Sequence, residues 1–541
     1  MYGCLDQHSF CITTWLTFSA VFIPAASVLG QPHSTQVYFS NSCSQEVQPT
    51  FSDAMTNLHS FEYPETGRIF TEIIREDPDC AMAYWGMAMS LWHPLWAPPS
   101  KADLQEGAGQ LSMTDDLYKT SREAEYIDAL KAFYASDDIT THRDRTLAYE
   151  SRMSAVYESH LDDPEAAVFY SLALLASADP HDKTYANQFK SAGLLNWVQK
   201  SQPTHPGGLH YLIHSYDYPG LAHLALKEAN LYADTAPNSA HAQHMPSHIF
   251  TRLGFWDQSI SSNHDSTKSA VDYTKRAHLH GHYDEGLHSI DYLMYALLQT
   301  ARDDEAQELL IQLADIKRTN TENFKVAYTY AAAPARYALE RREWQQASEI
   351  KLIRKDFPWE DFGWALSIHH FARGLGAARS GQILVARQEL EIIKQLQVAL
   401  PPTTLPYWRE EVQIQIDALQ SWILLAEGNE ESALELASGA ADREDAVDKH
   451  PVTPGEVLPA RELYADMLFE TAHYQPALEQ YRVVLKQAPN RLNALIGAGA
   501  AATQLKEKEI AANYYASVRS QTRLGNRTRP GVNLAWDLSL E

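Results

Sequence analysis

The feature that most constrains the fold is a unit of helical periodicity that recurs along the chain. Its plainest copy lies near the C-terminus, where His473-Tyr474-Gln475-Pro476-Ala477-Leu478 leads through Tyr481, Val484 and Leu485 to Ala488-Pro489-Asn490. Ala477, Tyr481 and Val484 share one helical face. The proline closes the unit, because it has no backbone N–H and clashes with the preceding turn. A second pair follows at once, with Ala494, Gly497, Ala498 and Ala501, then Ala511, Ala512, Tyr514 and Tyr515. Small residues let neighbouring helices approach closely, and large ones fill the groove of the next pair. Similar units recur upstream. Phe61-Glu62-Tyr63 runs through Phe70 to Asp77-Pro78-Asp79, with Ala83-Tyr84-Trp85-Gly86 opening the next helix. Tyr218-Pro219 leads to Ala236-Pro237-Asn238, and Gly254-Phe255-Trp256-Asp257 begins another second helix. Glu343-Trp344, Gly381-Gln382 and Gly428-Asn429 each sit at a turn between amphipathic stretches.

This pattern predicts an all-α, tetratricopeptide-like helical-repeat solenoid of antiparallel helix pairs. No segment alternates with period two over β-branched residues, so no strand is expected. Gly497-Ala498-Gly499 lacks both a third glycine and a preceding strand, which removes it as a nucleotide loop. A chain of 541 residues with 45% hydrophobic content can bury a core along such an array. The expected divisions are residues 1–30 as a signal peptide or N-terminal anchor, 31–310 as a repeat region carrying the chemistry, and 311–541 as further repeats.

The net charge of −25 is spread along the chain, and no basic run is present to neutralise phosphates. Nucleic acid and anionic membrane are therefore excluded as partners in favour of a small molecule, a metal or another protein. From Phe10 to Leu29 the chain is apolar or small, and Val28-Leu29-Gly30 offers a cleavage site before Gln31. The start carries Asp6 and no Lys or Arg, which is unusual for a signal, whereas Pro24 and the small-residue tail argue against a durable span. The expected location is the secretory pathway or the extracellular space. Removal of the segment leaves Cys43 and Cys80, which either pair as a disulfide or leave Cys80 a buried thiol on a helix. Asn526-Arg527-Thr528 is a glycosylation sequon for an exported chain.

About half of the 23 histidines fall between His205 and His288, and three helices there can be phased. In His205–Asp217, the residues Leu209, Leu212, Ile213 and Tyr216 make a buried stripe, with His210, His214 and Asp217 beside it. Two histidines at i, i+4 can bind one metal ion from a single helix face. In His241–Phe250, the histidines His241, His244 and His248 share a face, and Pro246 either starts a short helix or kinks a longer one and re-aims His248. In Asp284–Tyr292, the residues Asp284, His288 and Asp291 follow the same spacing, and a carboxylate one turn from a ligating histidine commonly orients its ring. Second helices over Pro219–Asp234 and Trp256–Tyr273 would alternate with these. First helices line the concave wall of a solenoid, which puts His210, His214, His244, His248 and His288 on one surface as metal ligands. Asp217, His241, Asp284 and Asp291 are then expected behind them. An imidazole-rich set without thiols suits copper, zinc or iron rather than magnesium or calcium. His223, His264, His278 and His280 read as satisfied hydrogen-bonding or surface residues, and Trp85, Trp92, Trp96 and Tyr211 as core. His59 and His93 are candidates to reach the cavity from the other side, and His369-His370 to extend its wall.

The runs Asp77-Pro78-Asp79-Cys80-Ala81-Met82-Ala83-Tyr84-Trp85-Gly86, His205-Pro206-Gly207-Gly208-Leu209-His210-Tyr211-Leu212-Ile213-His214 and His244-Met245-Pro246-Ser247-His248-Ile249-Phe250-Thr251-Arg252-Leu253-Gly254 resemble a family of tetratricopeptide-repeat proteins of bacteria and filamentous fungi. The resemblance implies the fold more than a chemistry, and an association with natural-product biosynthesis would suit a small-molecule substrate. The leading expectation is a metal-dependent enzyme, oxidative or hydrolytic, acting on a small molecule in a histidine-lined pocket. The competing expectation is a non-catalytic scaffold that binds a peptide or partner protein.

Overall fold

The structure, a computed structural model, describes residues 37–538. The apolar segment proposed as a signal lies outside the described residues. Among those described, the chain forms 26 α-helices and five single 3₁₀ turns, with no strand. No described helix is long and apolar enough to cross a membrane.

One turn recurs. Phe61, Gly254, Ala301, Arg342, Gly381, Gly428, Ala472 and Lys506 each adopt a left-handed backbone between two helices. In each case the next residue's N–H bonds the carbonyl five positions back, from Glu62 to Asn57 through to Glu507 to Ala502. This is the Schellman closure, which satisfies carbonyls that the helix end leaves orphaned. Ala472 and Lys506 stand 34 positions apart, the tetratricopeptide period. At Gly254 the absence of a side chain is required twice over, since φ is +67° and a Cβ would lie 2.2 Å from the Pro489 carbonyl oxygen.

Helices pack in sequential pairs, and first helices also pack on first helices: Asp284–Gln299 on Phe324–Leu339, and Phe324–Leu339 on Gly363–Arg379. The array curls back on itself. Trp256 Nε1 donates to the Asn490 carbonyl at 3.0 Å, and the Leu492 N–H donates to Gln299 Oε1 at 2.9 Å. The fully buried Arg491 pairs with Glu340 at 2.8 Å and Glu462 at 2.6 Å. One apolar cluster runs from Val37 to Phe250 and the next from Trp256 to Met467. The histidine-bearing helices stand where these two clusters meet.

Six helices build that junction: α1 (Pro206–Tyr216), α2 (Ala240–His244), α3 (Pro246–Leu253), α4 (Trp256–Arg276), α5 (Asp284–Gln299) and α6 (Phe324–Leu339). The helix expected over Pro219–Asp234 is shorter than its pattern suggested. Only Leu226–Tyr232 is α-helical, flanked by 3₁₀ turns at Ala222–Ala225 and Ala233–Thr235, because Pro219 and Gly220 delay its start.

Candidate metal centre

The site begins with the His-Pro-Gly-Gly turn. Pro206 opens α1 with its φ already helical. His205 caps it, Nδ1 accepting the Gly208 N–H at 3.1 Å while Nε2 meets Glu165 at 2.8 Å. Gly207 lets α1 press against its neighbours, since a Cβ there would lie 2.7 Å from His59 Nδ1 and 2.8 Å from Val168 Cγ1. One turn on, His210 and His214 bring their Nε2 atoms to 3.1 Å, and His241 from α2 places its own Nε2 3.2 Å from that of His210.

A second group lies beside the first. His244 of α2 and His248 of α3 have Nε2 atoms 3.0 Å apart, and the His288 ring of α5 stands 4.3 Å from that of His244. Pro246 starts α3, yet Met245 keeps helical angles of −53° and −37°, so His248 remains one turn beyond His244. Ser262 and Ser266 of α4 donate to the carbonyls of Gln243 and Ala240 around this break, at 2.5 and 2.6 Å. All six histidines are buried. Within each group one ligand nitrogen per residue lies within 4.8 Å of the others.

The outer nitrogens fix the tautomers. His210 Nδ1 sits 2.7 Å from the His59 carbonyl, His248 Nδ1 2.9 Å from Asp217 Oδ2, and His244 Nδ1 2.7 Å from Asn263 Oδ1. Asn263 is oriented by its Nδ2, which donates to the Ser259 carbonyl at 2.8 Å. All three partners are acceptors, so each Nδ1 carries the hydrogen and each Nε2 presents a lone pair. His244 and His248 therefore aim two lone pairs at each other across 3.0 Å. That contact is repulsive unless a cation joins it. A proton is a poor candidate, because burial pushes His248 down to about 4 despite Asp217. Burial, followed by the neighbouring imidazoles, holds His210, His214 and His244 well below the ordinary histidine range, and burial does the same to His288 even against Glu285. A metal ion fits. Nitrogens bound at 2.0–2.1 Å with near-tetrahedral angles are about 3.3 Å apart, and a carbonyl or carboxylate behind each ring is the usual support.

The carboxylates divide differently from the sequence expectation. Asp217 does stand behind His248, and its Oδ1 also accepts from Arg252 at 2.9 Å and its Oδ2 from Lys449 at 3.1 Å. Burial pushes Asp217 up, but Lys449, Arg252 and His248 outweigh it and hold the carboxyl well below its usual range. Asp284 and Asp291 do not orient His288. Asp284 is taken by Lys325 at 2.7 Å and Asn323 at 2.7 Å, and Asp291 by the buried Arg336 at 3.1 Å. His288 Nδ1 is left buried without a hydrogen-bond partner. Glu285, a residue missed by the sequence argument, stands 3.4 Å behind His241 and pairs with Lys325. The spacing gives His241 a supporting place, but its Nε2 sits among the ligand atoms. At i, i+3 on one face of α2, the His241 and His244 rings stand side by side with centroids 6.5 Å apart, close enough to serve adjacent groups.

A small cavity of about 20 Å³, room for little more than one water molecule, opens on His214, His241, His248 and His288. Trp96, Met245, Phe324, Pro451 and Val452 supply its apolar wall, with Glu285 and Lys325 at one side. Trp96, expected in the core, is thus a wall of the chamber, 5.6 Å from the His241 ring. Pro451 and Val452 come from the connection 446–459 between two C-terminal helices. The Tyr292 hydroxyl lies 3.2 and 3.0 Å from the Pro451 and Thr453 carbonyls, and Arg336 donates to those of Gly455 and Glu456 at 2.6 and 2.7 Å. The one signal for this element in the sequence is its length with Pro451, Pro454 and Gly455, since connections beyond about 12 residues are usually functional.

Other candidates fall elsewhere. His59 bonds Tyr211 at 3.1 Å and Glu165 at 3.0 Å and supports the site only through its carbonyl. His93 stacks on Tyr63 at 4.4 Å, and His370 is held by Glu389 at 2.6 Å. His223, His264, His278 and His280 are exposed. Cys43 and Cys80 are joined in a disulfide. The Asn526 amide donates to Asp304 Oδ2 at 2.7 Å.

Neither known protein families nor curated proteins match this sequence. Among solved structures, a monomeric IFIT1 mutant with Gppp-AAAA aligns over 90% of this chain and 96% of its own, at 11% identity and a TM-score of 0.37. Yeast Tom70 aligns over 92% and 96%, at 9% identity and a TM-score of 0.28. At these scores the fold assignment rests on the paired helices and their recurring turn.

Proposed function

We propose that this protein is a metalloprotein whose buried histidines bind copper, zinc or iron, and that it acts as a metal-dependent enzyme on a small, largely apolar molecule. The observation that carries the reading is the pair of Nε2 lone pairs of His244 and His248 held 3.0 Å apart by Asn263 and Asp217. Imidazole nitrogen suits these metals, and a bound ion would supply Lewis acidity or electron transfer for hydrolytic or oxidative chemistry. The chain's own contribution is to bind and shield. Trp96, Phe324, Pro451 and Val452 offer apolar contact around a small cavity of about 20 Å³, which admits a small ligand at the histidines and not a folded partner. Lys325, paired with Glu285 and Asp284, is the cationic group beside a bound molecule. A secretory location is part of the proposal, supported by the Cys43–Cys80 disulfide, which persists in oxidising compartments. The motif resemblance to bacterial and fungal repeat proteins supports a natural-product substrate.

The test is elemental analysis of purified native protein together with the His214→Ala/His248→Ala variant. The proposal expects bound transition metal in the first and its loss from the folded variant. A folded native protein that binds none of the three metals when offered them would overturn it.

A further inference from the structure

We infer that the histidines form two adjacent three-histidine sites, so that one chain holds two metal ions facing one chamber. This rests on the metal-binding reading above and adds the number of ions and the assignment of ligands. His210, His214 and His241 form one site, and His244, His248 and His288 the other.

The repeat architecture is the first argument. Each group takes an i, i+4 pair from one helical segment and its third histidine from the next first helix along the solenoid. The first uses α1 and then α2, and the second uses α2–α3 and then α5. The second site is the first one advanced by a repeat. The short α2 serves both, giving His241 to one and His244 to the other.

The second argument is that each group has its own supports. The first is anchored by the His59 carbonyl at 2.7 Å and by Glu285 at 3.4 Å, the second by Asn263 at 2.7 Å and Asp217 at 2.9 Å. Within groups, Nε2 atoms stand 3.1, 3.2 and 3.0 Å apart, the spacing of ligands on a shared ion. Between ring centroids, His210–His214, His210–His241, His244–His248 and His244–His288 stand 4.8, 5.1, 4.9 and 4.3 Å apart within groups, with His248–His288 at 6.1 Å, against 6.1 and 6.5 Å for His214–His248 and His241–His244 across them. The ligand atoms, all within 4.8 Å of one another inside each group, therefore gather as two sets of three.

The third argument is access. The chamber is lined by His214 and His241 from the first group and by His248 and His288 from the second. Three protein ligands leave a coordination position for an exogenous group, as in open metal sites. Both open positions would face the same apolar space, which is the arrangement of two-metal centres that act on one bound molecule.

The experiment is copper loading of the full-length protein, removal of loosely held ions, and counting of copper per chain. Two ions per chain are expected for the wild type, with one retained by His210→Ala/His214→Ala and one by His244→Ala/His248→Ala. One ion in the wild type, lost completely from either variant, would overturn the paired site while leaving the metal reading intact. No ion in the wild type would overturn both. Electron paramagnetic resonance of the loaded wild type gives an answer even if a variant fails to fold. Two neighbouring copper(II) ions give a dipole-broadened or quenched signal, whereas one narrow mononuclear signal accounting for all the copper at one ion per chain contradicts the inference.

Discussion

Replacing Asp217 by Asn keeps the side chain's shape and removes its charge. Asp217 Oδ2 accepts from His248 Nδ1 at 2.9 Å and Lys449 at 3.1 Å, while Oδ1 accepts from Arg252 at 2.9 Å. All of these groups are largely buried, so the substitution leaves two cations facing one another without an anion. Breaking a buried charge cluster on one side costs ~3–5 kcal/mol. Here the loss is capped, because burial has already brought Lys449 down to about 8. Without Asp217 its pKa falls further, and the lysine sheds its proton near neutrality. The sign for Asp217 itself follows from its depressed carboxyl: its contribution is present above the ordinary value of 3.8 and is lost as pH falls through the lower folded-state value. The amide of Asp217→Asn would also hold His248 less firmly and make it a weaker donor of electron density. Loss of such a partner lowers metal affinity ~10–100-fold, or ~1.4–2.7 kcal/mol. Denaturant unfolding of the chelated protein and competitive metal titration of the folded variant separate the two effects. Wild-type stability together with wild-type affinity would refute the role given to Asp217.

Three further outcomes follow from the same geometry. Gly207→Ala forces a methyl against His59 and Val168, and should lower unfolding free energy by ~1–3 kcal/mol; unchanged denaturant midpoints would contradict the close approach of α1. The metal-free protein should lose stability as pH falls from 6.5 toward 4. His248 has its folded-state value depressed to about 4, so the unfolded chain binds the extra proton in that window; equal stability at pH 7 and pH 5 after chelation would contradict it. Replacing Cys43 and Cys80 by Ser removes a crosslink across 37 positions, and should cost ~4 kcal/mol by loop entropy, read as a lower thermal midpoint that reductant no longer alters.

The helix pairs were legible because their signals are local. Ala477, Tyr481 and Val484 declare a buried face, and Gly254, Gly381 and Gly428 mark left-handed turns by residue type. The same turn built on Ala301, Arg342 and Lys506 carries no such mark, because there the packing of two helices overrides a local preference. At the site, His210, His214, His244, His248 and His288 could be phased together because α1, α2–α3 and α5 are regular across them. The errors came where the decisive partner is remote in sequence. Asp284 and Asp291 have the right spacing to His288 but are claimed by Lys325 and Arg336 on α6. Glu285 faces His241 across helices, 44 positions away. Lys449, Pro451 and Val452 arrive from the far end of the solenoid because the array curls back, and no periodicity in one segment encodes that closure.

X-ray absorption at the metal edge of the purified native protein addresses the central claim most directly, because it reads the ligands rather than the presence of an ion. The two histidine groups predict a first shell of nitrogen at ~2.0–2.1 Å with the outer-shell scattering of imidazole rings and no sulfur. A first shell of oxygen alone, or one without the imidazole signature, would place the metal elsewhere and contradict the account.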